Sequence, residues 1–153
     1  KPVRLAPGGR RAWLTGTLAG LWVLALAGLW TVHDDATTLR NRARRLLAQD
    51  QTEQARLVFQ EALRRYPMSL VADYTWYDLA LSHFKAGDYS QSEKLLAQVL
   101  DRFPDSILVP ETLYHLGWSL KRQGRTAEAL KHWRRLINDF PDNPWAREAA
   151  KSL

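Results

Sequence analysis

Cysteine is absent from all 153 residues, which excludes disulfides, zinc knuckles, iron–sulfur ligation, a thiol nucleophile and a thioether-linked lipid anchor together. Phosphate-cradling and hydrolase signatures are missing as well: no G-x-x-x-x-G-K-[ST], no G-x-G-x-x-G and no G-x-S-x-G occurs. The four histidines, His33, His83, His115 and His132, have no metal-type spacing to one another or to carboxylates, so structural or solvated roles are expected for them. The adjacent pair Asp34-Asp35 lies outside any predicted cleft and suits a solvated role better than acid–base work. The expectation is a protein that is not an enzyme, with no cofactor, no metal and no small-molecule substrate.

A formal charge of +6 invites a nucleic-acid reading, but Lys1, Arg4, Arg10 and Arg11 form an acid-free N-terminal stretch. The other 18 Lys and Arg face all 16 Asp and Glu, an excess of only +2, so no nucleic-acid partner is expected. With 46% hydrophobic and 25% charged residues, the chain suits one modest domain plus an extra apolar segment.

That segment is Ala12 to Val32, AWLTGTLAGLWVLALAGLWTV, which carries no charge. About 20 apolar residues suffice for a helix to cross a hydrocarbon core. Trp13 and Trp30 stand near its ends, where an indole sits well in the interface, with Arg10 and Arg11 just before it. The run ends in Leu29-Trp30-Thr31-Val32 and not in a small-residue cleavage site, so a retained anchor is expected in place of a removed signal. The basic flank before the span and Asp34-Asp35 after it favour a cytoplasmic tail over 1–11, although Arg40, Arg42, Arg44 and Arg45 pull the other way. Gly16 and Gly20, continued by Ala27 and Gly28, offer a small-residue face for helix packing in lipid; the same residues are also ordinary in any membrane helix.

Beyond a connection over 33–38, one period recurs. Tyr66-Pro67, Phe103-Pro104 and Phe140-Pro141 are spaced by 37 residues, and Asp50-Gln51-Thr52, Gly87-Asp88-Tyr89 and Gly124-Arg125-Thr126 fall at equivalent turn positions. After the turn come the small residues Ala55, Ser92 and Ala129, then Phe59, Leu96 and Trp133 one helical turn on. Before the turn stand Trp76-x-x-Leu79-Ala80-x-x-His83 and Leu113-x-x-Leu116-Gly117-x-x-Leu120. Small residues at these places predict closely packed helix pairs.

This pattern resembles the tetratricopeptide-repeat (TPR) family, whose consensus is W-x-x-L-G-x-x-Y, then A-x-x-x-F, then P. The 37-residue period and the linkers Phe103-Pro104-Asp105-Ser106 and Phe140-Pro141-Asp142-Asn143-Pro144 resemble those of bacterial envelope TPR proteins of the cell-division-coordinator and outer-membrane-assembly kinds. The resemblance implies an all-α fold: one N-terminal transmembrane helix over 12–32, then an α-solenoid of about three TPR helix pairs over 39–143 (39–67, 70–104 and 107–141), and a short capping helix over 144–153. The first helix of repeat one departs from the pattern, with Leu39, Arg42, Ala43 and Leu46 in place of the usual aromatic and leucine set; it reads either as a cap or as an extension of the anchor.

In the TPR family ligands lie along the concave surface made by the first helix of each repeat. The matching positions here are Arg40, Arg44 and Leu47; Tyr74, Tyr77, Leu81, Phe84 and Lys85; Glu111, Tyr114, Trp118, Lys121 and Arg122. The surface is aromatic in its middle and basic at its edges, which implies a protein segment with apolar anchors and acidic flanks. The same aromatics also read as packing against one another. Two functions stand: an accessory or assembly subunit, docked through helix and repeats on a membrane protein complex, and a tethered chaperone resembling the single-pass TPR protein of the Sec translocon. Both expect a single-pass protein of a bacterial inner membrane, N-terminus cytoplasmic and repeats periplasmic, with the lipid bilayer as a partner.

Overall fold

The computed structural model describes residues 35–153. The expected span over 12–32 lies outside the described residues, together with its flanking Arg10, Arg11, Trp13 and Trp30 and its small-residue face of Gly16, Gly20, Ala27 and Gly28. Among the described residues no helix is long and apolar enough to cross a membrane.

Seven helices follow one another without a strand among the described residues. The first, α1, is helical over 35–48, so the first helix of repeat one is already formed four residues before residue 39. Then come α2 (Thr52–Arg65), α3 (Ala72–Lys85), α4 (Tyr89–Arg102), α5 (Val109–Arg122), α6 (Thr126–Asp139) and the short α7 (Pro144–Ala150). Consecutive helices pack as pairs, and α3 also touches α5 as α5 touches α7, which makes an α-solenoid.

Each of the first six helices ends for a local chemical reason. At the close of α1, α3 and α5 a residue of the turn takes positive φ: Asp50 at 62°, Gly87 at 82° and Gly124 at 80°. The next N–H then reaches back to a carbonyl five residues earlier, Gln51 to Leu46 at 2.9 Å, Asp88 to His83 at 3.0 Å and Arg125 to Leu120 at 3.0 Å. This is the six-to-one bond of a Schellman cap, made three times. Helices α2, α4 and α6 stop at Tyr66, Phe103 and Phe140, with φ near −132°, −131° and −136°. A proline follows each of them and disfavours the helical conformation at the residue before it.

Packing follows the small-to-large pairing of the repeat. Ala43, Ala80 and Gly117 occupy equivalent places on the first helices and are buried, while Phe59, Leu96 and Trp133 occupy the equivalent places on the second helices and are 0% exposed. Ala55, Ser92 and Ala129 are likewise fully buried. Trp133 needs the most room and faces the smallest residue: a Cβ on Gly117 would lie 2.6 Å from its Cε2. Polar ties reinforce the turn edge, where Arg125 grips both oxygens of Glu93 at 2.8 and 2.7 Å and Arg56 donates to the Ser82 carbonyl at 2.9 Å.

Candidate protein-binding surface

The first helices of the repeats, α1, α3 and α5, carry the ligand-facing candidates in two clefts. Between α1 and α3 is an opening of about 340 Å³ lined by Arg44, Leu47, Asp78, Leu81 and Lys85. At its side Arg40 Nε donates to Asp78 Oδ2 at 2.8 Å, and its guanidinium stands 4.9 Å from the Tyr74 ring centre. Arg40 and Tyr74 thus form an internal tie. Burial pushes the Asp78 carboxyl above its usual range, against the pull of Arg40, Arg44 and Lys85.

Between α3 and α5 is a second cleft of about 260 Å³ lined by Phe84, Tyr114, His115, Trp118 and Arg122. His115 sits at its centre: its ring lies 6.0 Å from Tyr77, 5.7 Å from Phe84, 5.3 Å from Tyr114 and 5.6 Å from Trp145 of α7. Tyr114 stacks obliquely on Trp145 at 4.9 Å. Trp118 meets Trp133 edge to face at 5.4 Å, and Lys121 Nζ stands 5.1 and 5.3 Å from those two rings. Arg122 lies 5.9 Å from the Trp118 ring. Such edge and cation contacts fix the rings in place.

Two buried polar groups lie at this aromatic floor, the hydroxyl of Tyr77 beside the carboxylate of Glu111 and the ring of His115, whose Nδ1 makes no hydrogen bond. Tyr77 is only 5% exposed; burial first, and then the nearby carboxylate of Glu111, drive its phenol well above the ordinary range. Burial, with Lys85 adding to it, lowers His115 to about 4, so near neutral pH the ring is uncharged.

The expected site residues therefore separate. Phe84, Tyr114, Trp118 and Arg122 line the second cleft, Arg44 and Leu81 the first, and Lys121 lies over two indoles. Arg40 and Tyr74 are held by each other and Asp78, and Tyr77 is floor more than rim. Sequence reasoning gave His115 only a structural or solvated role, and it did not place Trp145 or Asp78 at the surface. His115 had a visible signal, since it shares one helical row with Glu111, Trp118 and Arg122.

Family models described as tetratricopeptide repeat match residues 41–69 and 72–140. The chain is built of tetratricopeptide repeats. Among solved structures this TPR solenoid is similar to the N-terminal domain of stress-induced protein-1 from C. elegans, with TM-score 0.67 and 14% identity over 78% of this chain and 95% of that one. It is similar also to the first TPR of Spaghetti (RPAP3), solved with the HSP90 peptide SRMEEVD, with TM-score 0.64 and 13% identity over 78% of this chain and 94% of that one. No curated protein matches the chain. No catalytic family is indicated among these likenesses.

Proposed function

We propose that this TPR protein is a non-catalytic interaction subunit: residues 12–32 anchor it in a membrane, and the clefts of α1, α3 and α5 hold a segment of a membrane protein complex that it stabilises or helps assemble. The observation that carries the binding half is the aromatic cleft between α3 and α5, where Phe84, Tyr114 and Trp118 line an opening together with His115 and Arg122. Apolar rings in a cleft edged by cationic side chains suit a protein segment that offers apolar anchors. Arg44, Lys85 and Arg122 beside the clefts favour acidic flanks on that segment. The Spaghetti repeat, of like fold, holds an acidic peptide, which supports the same polarity here. The anchor half rests on the uncharged run from Ala12 to Val32.

The test places a photo-crosslinking phenylalanine analogue at Trp118 or at Leu57, a residue exposed on α2, in the full chain in its native membrane. Gentle detergent extraction, affinity isolation and mass spectrometry follow. One stoichiometric set of membrane subunits crosslinked from position 118 and not from 57 supports the accessory subunit. Loss of that set in Gly16→Leu/Gly20→Leu would put part of the contact in the bilayer. A dispersed collection of clients from 118 favours the tethered chaperone, and equal yields from 118 and 57 sink both.

A further inference from the structure

Three large apolar side chains stand in water on one edge of the solenoid: Met68 at 89%, Leu70 at 81% and Ile107 at 79% exposure. Leu70 and Ile107 are one 37-residue period apart, so they occupy the same place in successive linkers. The two linkers adjoin. Ser106 Oγ donates to the carboxylate of Asp73 at the start of α3, and a groove of about 350 Å³ runs between them past Leu70, Phe103 and Pro104. The solenoid fills its own core here with Leu108 and Val109, 7% and 3% exposed, and makes no use of the three outer side chains.

The chain enters the solenoid along this same edge. Tyr66, which opens the linker bearing Met68 and Leu70, donates its hydroxyl to Oδ2 of Asp35 at 3.1 Å. Asp35 is three residues beyond Val32, the end of the uncharged run, and three residues reach about 10 Å at most. The linkers therefore lie within about one headgroup layer of wherever that run ends.

Resting on the reading of residues 12–32 as a membrane span, we infer that the linker edge lies on the bilayer and that Met68, Leu70 and Ile107 enter its interfacial zone. Apolar side chains projecting together from a helical domain beside its anchor are what interfacial docking requires. Asp35, Asp73 and Asp105 share the edge, while nearby Arg65 and Arg102 are engaged by Glu61 and by the Trp76 ring. The surface recognised is a zwitterionic interface gripped by apolar insertion, with the three aspartates at the edge opposing anionic lipid. The orientation has a consequence for the binding cleft. Trp118 follows the start of α5 by nine residues, roughly 14 Å of helix, so the cleft opens just above the headgroups, where the external face of a membrane partner lies.

Because the chain has no cysteine, single labels can be placed without background. An environment-sensitive nitrobenzoxadiazole dye is attached to Met68→Cys, Leu70→Cys, Ile107→Cys and, as a control, Leu57→Cys of the full chain in phosphatidylcholine vesicles. Some vesicles carry doxyl lipid. The expected result is blue-shifted emission with doxyl quenching at 68, 70 and 107, and neither at 57. Water-like emission at all four positions, quenched equally by aqueous iodide, in protein that floats with the vesicles overturns the docking and leaves the span intact. Protein that does not float with the vesicles overturns both.

Discussion

The indole N–H of Trp133 donates to the main-chain carbonyl of Tyr114 at 3.1 Å, and α5 and α6 approach this closely because residue 117 has no side chain. A Cβ at Gly117 would strike the N–H edge of a fully buried indole that has nowhere to retreat. Gly117→Ala is expected to lower stability by about 1–3 kcal/mol, the usual cost of overpacking a filled core. Repeat two offers the compensating design, because Ala80 and Leu96 fill the places of Gly117 and Trp133. Gly117→Ala with Trp133→Leu should therefore be less destabilised than the two single changes summed, by about 1–2 kcal/mol. Urea unfolding of the full chain in mild detergent, followed by circular dichroism, measures the cycle; strict additivity would refute the steric account.

Stability should depend on pH through His115. Its folded-state pKa is lowered from 6.5 to about 4, so between those values the unfolded chain binds the proton and the folded chain does not. The stabilisation of the neutral ring is complete above about pH 6.5 and is lost as pH falls toward 4. Between pH 7.5 and 4.5 the loss is expected to be about 2 kcal/mol. His132, lowered in the same direction, adds to the slope of the parent protein, so the diagnostic quantity is the difference from His115→Leu. If His115→Leu unfolds with the same pH slope as the parent, the assignment to His115 is wrong.

The stops and the core were legible in the sequence because each has a local chemical cause. Aromatic-proline pairs end the second helices, positive-φ turns end the first, and small residues mark the places where helices touch. The aromatic stripe of Tyr114 and Trp118 was legible for the same reason, since both lie on one helical face. What joins the stripe was not. Trp145 reaches Tyr114 and His115 only because the third linker is short and folds α7 back on α5, and Asp78 meets Arg40 across 38 residues of chain. Leu70 and Ile107 were not singled out, because the pattern of a linker does not show which side of it faces water.

The three turns make a graded test of backbone strain. At Gly87 and Gly124 no atom lies within 4 Å of the place a Cβ would take, so only their φ of 82° and 80° opposes a side chain. Gly87→Ala and Gly124→Ala should each cost about 1 kcal/mol, the penalty of the left-handed region for an L-residue. Asp50 already bears that strain at φ 62°, softened by its short polar side chain. Asp50→Gly is accordingly expected to raise stability by roughly 0.5–1 kcal/mol. Chemical denaturation of the three variants beside the parent measures the series. A destabilised Asp50→Gly would mean that the aspartate makes a contact worth more than its strain.

The pair Arg40 and Asp78 ties α1 to α3 with side chains 14% and 16% exposed, which makes the two possible truncations unequal. Arg40→Met leaves a desolvated carboxylate facing an apolar side chain, and such a loss costs about 2–4 kcal/mol at neutral pH. The Asp78 carboxyl already lies above its ordinary range because burial outweighs the arginine, and without Arg40 it rises further. A carboxyl raised in the folded state gains its proton there first, so the deficit of Arg40→Met should shrink as pH falls from 7.5 to 4.5. Asp78→Leu should cost less, since the longer arginine can turn its head to water, and Arg40→Met/Asp78→Leu should return to within about 1 kcal/mol of the parent. Comparing the three variants with the parent at both pH values separates a structural tie from a ligand contact: a deficit that does not change with pH would show that Asp78 is not the group left stranded.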